Sequence, residues 1–335
     1  MIILGVETSC DETSAAVIKN NRVLSNIISS QLIHSEFGGV VPELASRAHI
    51  RFIGPIVKEA INKAKIVLSD IDGLAVTNGP GLVGALLVGL NYIKGLSLAL
   101  KVPFIGVNHI EGHLYGTLLS QEEYKFPIIF LVVSGGHTQI VLMKTDLTYN
   151  IIGKTKDDAV GEAFDKGGKM LGLGYPAGPV IDRLAKAGDK LFHKFPHGLS
   201  KYDTYDFSYS GLKTSLLVFL QDKSNEYIRE HLSDICASYQ AAAVDVLIKK
   251  TIKAAEKYNV ERIGIAGGVA ANSYLRTELK KACDLKGKKL YIPEMVYCTD
   301  NAAMIARVGS EYLNRGVSSE QSLNAFPSMK LASLK

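Results

Sequence analysis

The chain has 335 residues, of which 47% are hydrophobic and 21% charged, and its formal net charge at pH 7 is +5. This composition is typical of a folded globular protein with room for two domains, and it excludes an intrinsically disordered chain. The mild basic excess permits a polyanionic partner without requiring one, because the sequence has no tryptophan and no dense run of lysine or arginine.

The four cysteines are scattered without a C-x-x-C pair, which favours a reducing compartment over a disulfide framework. No secretory or organelle leader pattern opens the sequence, so we expect a cytoplasmic protein without a membrane anchor. The longest apolar stretch, residues 82–100, contains Asn91, Lys94 and three glycines. It predicts a buried helix of a soluble core and not a membrane span.

The first residues predict a β-hairpin with a polar turn. An apolar strand over 2–6 leads into a turn over 7–14 that is rich in hydroxyl and carboxylate side chains, and an apolar strand over 15–18 returns. The same pattern recurs over residues 128–143, where the turn reads Ser-Gly-Gly-His-Thr. Two copies at this separation predict a duplicated α/β domain, with two similar lobes whose turns face a shared cleft.

The remainder of the first lobe is predicted to contain a helix over 44–63 and a strand over 71–77, followed by an Asn-Gly-Pro-Gly turn at 78–81. Free backbone amides in such a turn before a helix can bind an anion. A plain strand-to-helix turn explains the same residues equally well.

A pair of histidines follows the next short predicted strand. His109 and His113 are four residues apart on a predicted helix, so they share a face and lie close enough to bind one ion. Asp300, where the last predicted helix begins, is either that helix's N-cap or a third ligand. The zincin signature requires glutamate directly after the first histidine, but Ile110 stands there and Glu111 lies about 100° further around the helix. Peptide hydrolysis by the zincin route is therefore disfavoured.

Glycine-rich turns distinguish the second lobe. A capped helix is predicted over 157–169 and a Gly- and Pro-rich loop over 171–179, and a Gly-Gly turn follows the apolar strand over 262–266. Such turns allow the close backbone approach that a nucleotide requires. Residues 228–257 predict one long amphipathic helix or a pair of helices.

These motifs, taken in order, closely resemble those of the TsaD (Gcp) family, within the superfamily of actin, sugar kinases and Hsp70 (ASKHA). The resemblance covers essentially the whole chain, and the Ser-Gly-Gly-His-Thr turn is similar to the bacterial branch. The motifs lie at residues 7–11, 38–43, 78–81, 134–138, 165–169 and 298–301, together with the histidine pair.

The resemblance implies an α/β fold of two ribonuclease H-like lobes with an interlobe cleft. The N-terminal lobe would comprise residues 1–126, with a C-terminal helix over 300–335 returning to it. The C-terminal lobe would comprise residues 127–299 and carry an insertion near 190–215.

The function implied by the resemblance is that of a tRNA N6-adenosine threonylcarbamoyltransferase. Such an acyltransferase moves the threonylcarbamoyl group of threonylcarbamoyl-AMP to N6 of the adenosine 3′ of the anticodon, at position 37, in tRNAs that read ANN codons. His109, His113 and Asp300 would bind one Fe²⁺, with Zn²⁺ as the alternative. The residues implied to hold the adenylate, or an ATP or ADP analogue, are Val132, Val133, Ser134, Gly135, Gly136, Asp165, Gly178, Asp182 and Asn272.

Two carboxylates in the first polar turn, Asp11 and Glu12, are candidates for the catalytic base that accepts the proton of the adenine amine, although either could equally stabilise the turn. The resemblance also implies partners: tRNA, the inactive paralogue TsaB as a heterodimer, the small ATPase TsaE and a separate synthase that supplies threonylcarbamoyl-AMP.

Three other functions remain open from the residues alone. A small-molecule kinase or ATPase of the same superfamily would hold Mg²⁺ with carboxylates, whereas an imidazole pair suits softer metals. A metalloprotease lacks the zincin glutamate. A non-catalytic scaffold in a larger assembly is the third.

Overall fold

The structure is a computed structural model that describes residues 1–31 and 34–334, and for residues 35 and 36 it describes the backbone alone. Its strands are β1 Ile2–Glu7, β2 Glu12–Lys19, β3 Arg22–Ser30, β4 Gly73–Gly79, β5 Phe104–Asn108, β6 Ile128–Val133, β7 Thr138–Thr145, β8 Thr148–Lys154, β9 Arg262–Ala266 and β10 Lys289–Tyr291. Its helices are α1 His34–Phe37, α2 Pro42–Ala64, α3 Val83–Leu100, α4 His109–Leu119, α5 Val160–Met170, α6 Gly178–Ala185, α7 Ser210–Gln221, α8 Asn225–Glu230, α9 Leu232–Lys257, α10 Ser273–Leu285 and α11 Ala302–Asn314.

The chain divides into two compact units, each built on a five-stranded mixed sheet. The first unit comprises Met1–Glu122 and Pro293–Leu331, and the second comprises Glu123–Ile292 together with the last residues. The strand orders are β3-β2-β1-β4-β5 and β10-β9-β6-β7-β8. In each sheet three antiparallel strands continue into two parallel ones, with β6 taking the place of β1. The predicted duplicated α/β fold is confirmed.

Alternate residues of β1 face opposite sides of the first sheet. Leu4 and Val6 are fully buried in a core that includes apolar residues of α2 and α3. Gly5, between them, faces α11 on the other side of the sheet, because a Cβ there would lie 2.6 Å from the Ala302 carbonyl oxygen and 2.8 Å from the Ala306 Cβ. Since α11 begins two residues after Asp300, this close packing also fixes where Asp300 lies.

The helix predicted as buried over 82–100 is only partly buried. In α3, Leu86, Leu90 and Ile93 are buried, whereas Val83 is 55% and Leu98 65% exposed. By length and composition α3 could cross a membrane, a test that core helices of soluble proteins also pass. Here it packs against β4 and α2 of the first unit. Composition alone could not show that one face of this helix is exposed.

The final helix is shorter than the predicted range 300–335. It ends at Asn314, before Gly316, whose φ of +73° suits a residue that follows a helix. The chain then runs along the first unit, where the Ser319 amide donates to the Phe104 carbonyl oxygen at 2.7 Å. Residue 335 lies outside the described residues.

The helix predicted over 157–169 begins later, at Val160, and its N-cap residue Ala159 makes no capping side-chain bond. Asp157 instead accepts hydrogen bonds from the Tyr209 amide at 2.7 Å and the Ser210 hydroxyl at 3.0 Å, and so holds the start of α7. The long amphipathic segment 228–257 proves to be mostly α9, preceded by the short helix α8.

We expect Gly5→Ala to lower the free energy of unfolding by about 1–3 kcal/mol, because the added methyl group would overlap α11. Gly95→Ala is the matched control: its Cβ would meet nothing within 4 Å, and alanine in place of a helical glycine stabilises by about 0.5–1 kcal/mol. Thermal unfolding of both variants tests this. Equal shifts of Tm would contradict the close approach of α11 to β1.

Candidate functional site

The histidine pair lies where β5 ends and α4 begins. The Asn108 side chain caps α4 by accepting bonds from the Ile110 amide at 2.9 Å and the Glu111 amide at 3.3 Å. Because the cap stops the strand at Asn108, His109 is the first helical residue and His113 lies one turn later on the same face. Both histidines are buried, with exposed fractions of 7% and 1%.

Asp300 completes a group of three potential metal ligands. It is not the N-cap of α11, because Asn301 takes that position and accepts a bond from the Met304 amide at 3.1 Å. The Asp300 Oδ1 atom lies 3.4 Å from Nε2 of His109 and 3.3 Å from Nε2 of His113. The three side chains each offer one ligand atom, and these atoms all lie within 4.8 Å of one another.

These separations fit a single metal ion. Two ligand atoms bound to one ion at about 2.1 Å in tetrahedral geometry would be about 3.4 Å apart. Within the described part of the chain, both ring nitrogens of His113 are buried without a hydrogen-bond partner, and the 3.3 Å contact of Nε2 with Asp300 lacks hydrogen-bond geometry. A cation shared by the carboxylate and the imidazoles would satisfy such a buried nitrogen. The residues therefore fit a divalent metal.

Glu7 at the end of β1 supports His109 from behind. Nδ1 of His109 lies 3.1 Å from Glu7 Oε2 and 3.1 Å from the Ser9 hydroxyl. Glu7 is itself held, since it accepts bonds from the Thr77 hydroxyl at 2.6 Å and the Ser9 amide at 2.5 Å. A proton on Nδ1 donated to Glu7 leaves the Nε2 lone pair free toward Asp300. Sequence reasoning assigned Glu7 no role, although a carboxylate ending an apolar strand was the available signal.

Burial and the neighbouring carboxylates have opposite effects on the pKa of each histidine. Burial lowers the pKa of His109, but the Asp300 and Glu7 carboxylates outweigh this effect and raise it to about 9. Burial also lowers the pKa of His113, and there it prevails. Burial thus favours the neutral form of His113, which is the form of imidazole that binds a metal, and a bound cation would oppose the protonation of His109 that the carboxylates favour.

The two candidate bases also lie in the first unit. Asp11 precedes β2 and Glu12 is its first residue, and both are half-buried. Burial, followed by the charges of Asp300 and Asp11, raises the pKa of Glu12 to about 10. The Glu12 carboxyl is consequently protonated at neutral pH unless a nearby positive charge favours its ionised form.

The helix with the histidines packs closely on α11. A Cβ at Gly112 would lie 2.8 Å from the Ile305 side chain, so glycine allows this approach. The buried Glu111 accepts a hydrogen bond from the Tyr312 hydroxyl at 3.0 Å. Glu111 therefore joins α4 to α11 and is not among the three clustered ligands, in agreement with the argument against a zincin site.

The residues expected to hold an adenylate surround the carboxyl ends of β6 and β9 in the second unit. Val132 pairs with Ala266 there, and the following residues 133–136 form the turn into β7. Gly135 and Gly136 are exposed, with open space where a side chain would be. In α/β folds the carboxyl ends of parallel strands are the usual place for ligands.

Three of these residues already bond within the second unit. Asp165 accepts a bond from the Ala177 amide at 2.8 Å and so fixes the start of α6, where Gly178 is the first residue. Asp182 accepts bonds from both the amide and the hydroxyl of Ser273, the latter at 2.9 Å. Asn272 caps α10 and donates to Gln240 at 2.7 Å. The structure thus brings Asp182 and Asn272 together, and sequence reasoning missed Ser273 and Gln240.

Solved structures with this arrangement define the class of fold. The chain is similar to HypF from T. kodakarensis, with a TM-score of 0.65 and 14% identity over 96% of this chain and 48% of that one. It is also similar to the activator of the 2-hydroxyisocaproyl-CoA dehydratase from Clostridium difficile with bound ADPNP, with a TM-score of 0.56 and 12% identity over 96% and 99% of the two chains. The chain shares the fold of these structures, which is the ASKHA fold predicted from the sequence.

Sequence comparison narrows the class to one family. Residues 22–307 match the sequence model of TsaD, tRNA N6-adenosine threonylcarbamoyltransferase. Proteins of that name from Prosthecochloris aestuarii and Chlorobaculum tepidum are 54% and 52% identical to this chain, over 98% of both chains in the first case and 94% and 93% in the second. The chain belongs to the TsaD family. Its activity is an acyl transfer in the threonylcarbamoyladenosine modification of tRNA, and the kinase and protease alternatives are not favoured.

We expect Glu7→Gln to weaken metal binding by about 10- to 100-fold, because His109 would lose the carboxylate that orients it. The metal dissociation constant, measured by competition with a chelator, tests this. Glu43→Gln, an exposed change in the same unit, is the control. Unchanged affinity in Glu7→Gln would contradict the supporting role.

Proposed function

We propose that the chain transfers the threonylcarbamoyl group of threonylcarbamoyl-AMP to N6 of the adenosine at position 37 in tRNAs that read ANN codons, with the aid of one metal bound by His109, His113 and Asp300. The observation that supports a metal is the close approach of two imidazole nitrogens and a carboxylate oxygen. The Asp300 oxygen lies 3.4 Å from Nε2 of His109 and 3.3 Å from Nε2 of His113. Two imidazoles and a carboxylate suit Fe²⁺, and Zn²⁺ accepts the same ligands.

A metal held by His109, His113 and Asp300 would supply a Lewis acid that polarises a substrate carbonyl. The chain's own residues prepare that place. Glu7 orients His109, the packing of α4 on α11 aligns His113 with Asp300, and burial keeps water away from the imidazoles. Charges interact more strongly in such a desolvated site than in water. A bound metal would therefore attract the carbonyl oxygen of the donor more strongly there.

The donor's nucleotide belongs to the second unit in this proposal. Asp165 and Asp182 can accept bonds from ribose hydroxyls, since each carboxylate has lone pairs beyond those used within the protein. The exposed amides of Gly135 and Gly136 suit phosphate oxygens. Val132, Val133, Ser134, Gly178 and Asn272 would complete this adenylate site.

In the reaction a bond forms between N6 and the carbamoyl carbon, the bond from that carbon to the phosphate oxygen breaks, and AMP leaves. N6 also loses a proton. Asp11 and Glu12 are our candidates to accept it, and Glu12 can do so only in its ionised form, which a bound cation would favour.

The activity is assigned to the cytoplasm, with TsaB and TsaE as protein partners and a separate synthase as the source of the donor. One surface suits the paralogue TsaB: an apolar groove of about 520 Å³ between α2 and α3, where Ile50 is 66% exposed. Its lining residues are Ile50, Ile53, Gly54, Pro55, Leu87, Val88, Asn91 and Tyr92.

We expect His113→Ala to lose bound metal and to lower the rate of transfer at least about 100-fold, because one of three ligands is gone. The assay incubates the chain and its partners with threonylcarbamoyl-AMP and unmodified tRNA, and detects the modified nucleoside by mass. His197→Ala removes an exposed histidine of the second unit and is the control. Undiminished transfer by His113→Ala would reject the metal's role.

In the same assay Asp11→Asn or Glu12→Gln should slow transfer while metal content stays unchanged. Full activity in both variants would exclude these carboxylates as the catalytic base.

For the partner surface, we expect Ile50→Asp to weaken association with TsaB at least about tenfold, because a charge would have to be desolvated in an apolar groove. Leu285→Asp, at a leucine of the second unit that is 86% exposed, is the control. Analytical ultracentrifugation of the mixed proteins measures the association. Equal affinity in both variants would place TsaB elsewhere.

A further inference from the structure

The net positive charge of the chain belongs to the second unit. That unit has 26 Lys and Arg residues against 19 Asp and Glu residues, a net charge of +7, whereas the first unit has 12 against 14, a net charge of −2. The family's substrate, tRNA, is a polyanion. Its long-range attraction is therefore toward the second unit.

A cluster of half-buried rings marks one surface of this unit. Its members, which we call the ring patch, are Phe192, His193, Phe219, Lys223, Tyr227 and His231. The ring centroids of Tyr227 and His231 are 4.4 Å apart, and His231 stacks on Phe192 at 4.9 Å. The Lys223 ammonium lies 5.3 Å from the Tyr227 centroid, within the range of a cation–π interaction.

The ring patch is anchored in the core beneath it. Phe195 is buried and lies 5.9 Å from Phe219 and 5.7 Å from Tyr239, measured between ring centroids. The Tyr239 hydroxyl donates to the Ala163 carbonyl oxygen at 2.8 Å, and Ala163 belongs to α5, the helix that carries Asp165. The patch is consequently a rigid surface and not a loose loop, and it is joined to one of the helices assigned to the adenylate.

A lysine connects the same surface to Asp182. The Lys190 ammonium lies 3.4 Å from the Tyr274 hydroxyl and 5.4 Å from the centroid of that ring. Tyr274 directly follows Ser273, which donates to Asp182. Lys190, two residues before Phe192, therefore contacts the residue next to the one that binds Asp182.

The lysines here are available to phosphates. Within the described residues, Lys190 and Lys223 form no ion pair with a carboxylate. The lysines at the far end of α10 differ, because Lys280 pairs with Asp284 and Lys286 pairs with Glu256. Since α8 also carries Glu226 and Glu230, charge density alone does not distinguish the surface. Its distinctive property is the combination of rings with unpaired cations.

We propose that the ring patch, with Lys190, is the surface on which the tRNA anticodon loop docks. Unpaired bases of RNA loops stack on aromatic and imidazole rings, and lysines contact the adjacent phosphates. Its closeness to Asp182 would bring the adenosine toward the donor. This last step rests on the proposed adenylate site, whereas the docking surface itself does not.

The test compares two double variants of the full chain that remove equal charge from the same unit. Lys190→Gln with Lys223→Gln should weaken binding of an unmodified tRNA transcript about tenfold or more, and should lower the slope of log affinity against log salt by about 2. Lys280→Gln with Lys286→Gln is the control and should change the affinity less than about twofold. Tyr227→Leu should also weaken binding several-fold with Tm unchanged. Fluorescence anisotropy at several salt concentrations measures each affinity.

Three results would overturn the proposal. They are equal weakening in both double variants, no binding of the transcript by the unaltered chain at low salt, and unchanged tRNA affinity together with lost association of a protein partner. The proposed function fails separately: His113→Ala should keep its tRNA affinity while losing transfer. The Lys190 and Lys223 variant should keep its metal content.

Discussion

The packing of α11 against β1 and α4 is the constraint on which the candidate metal centre depends. Asp300 and the histidines belong to distant parts of the sequence, and only this packing brings the carboxylate within 3.4 Å of both imidazoles. Glycines at positions 5 and 112 permit the close approach, and the Glu111–Tyr312 hydrogen bond secures it. The position of the ligands is thus set by backbone contact between helices and sheet, which is less adaptable than side-chain contact.

Burial strengthens the electrostatic interactions at the candidate metal centre. Glu7, Asp300 and the two imidazoles occupy a region with little water, where charges interact more strongly than at the surface. Carboxylates without a cation are costly there, as the raised pKa of Glu12 shows. A divalent ion would offset this accumulation of negative charge, so metal binding and the ionisation of nearby carboxylates are coupled.

Local patterns predicted much of this molecule. The hairpin repeat predicted the duplicated fold, and the four-residue spacing predicted that His109 and His113 share a helical face. Sequence patterns failed where a residue that is distant in the sequence determines the local structure. Asp157 does not cap α5 because it binds Tyr209 and Ser210 at the start of α7. Although the segment of α3 is apolar, its residues Val83 and Leu98 are exposed. Glu7 could not be assigned because its partners Ser9, Thr77 and His109 meet only in the fold.

The late position of Asp300 bears on how the protein matures during synthesis. Two imidazoles are made in the first third of the chain, but the carboxylate that joins them follows only after the entire second unit. A ribosome must therefore release nearly the whole polypeptide, and α11 must dock beside β1, before three ligands can surround an ion. Loading of this candidate centre with a metal would then be confined to finished molecules, and a truncated product lacking α11 would leave its imidazoles without their third donor.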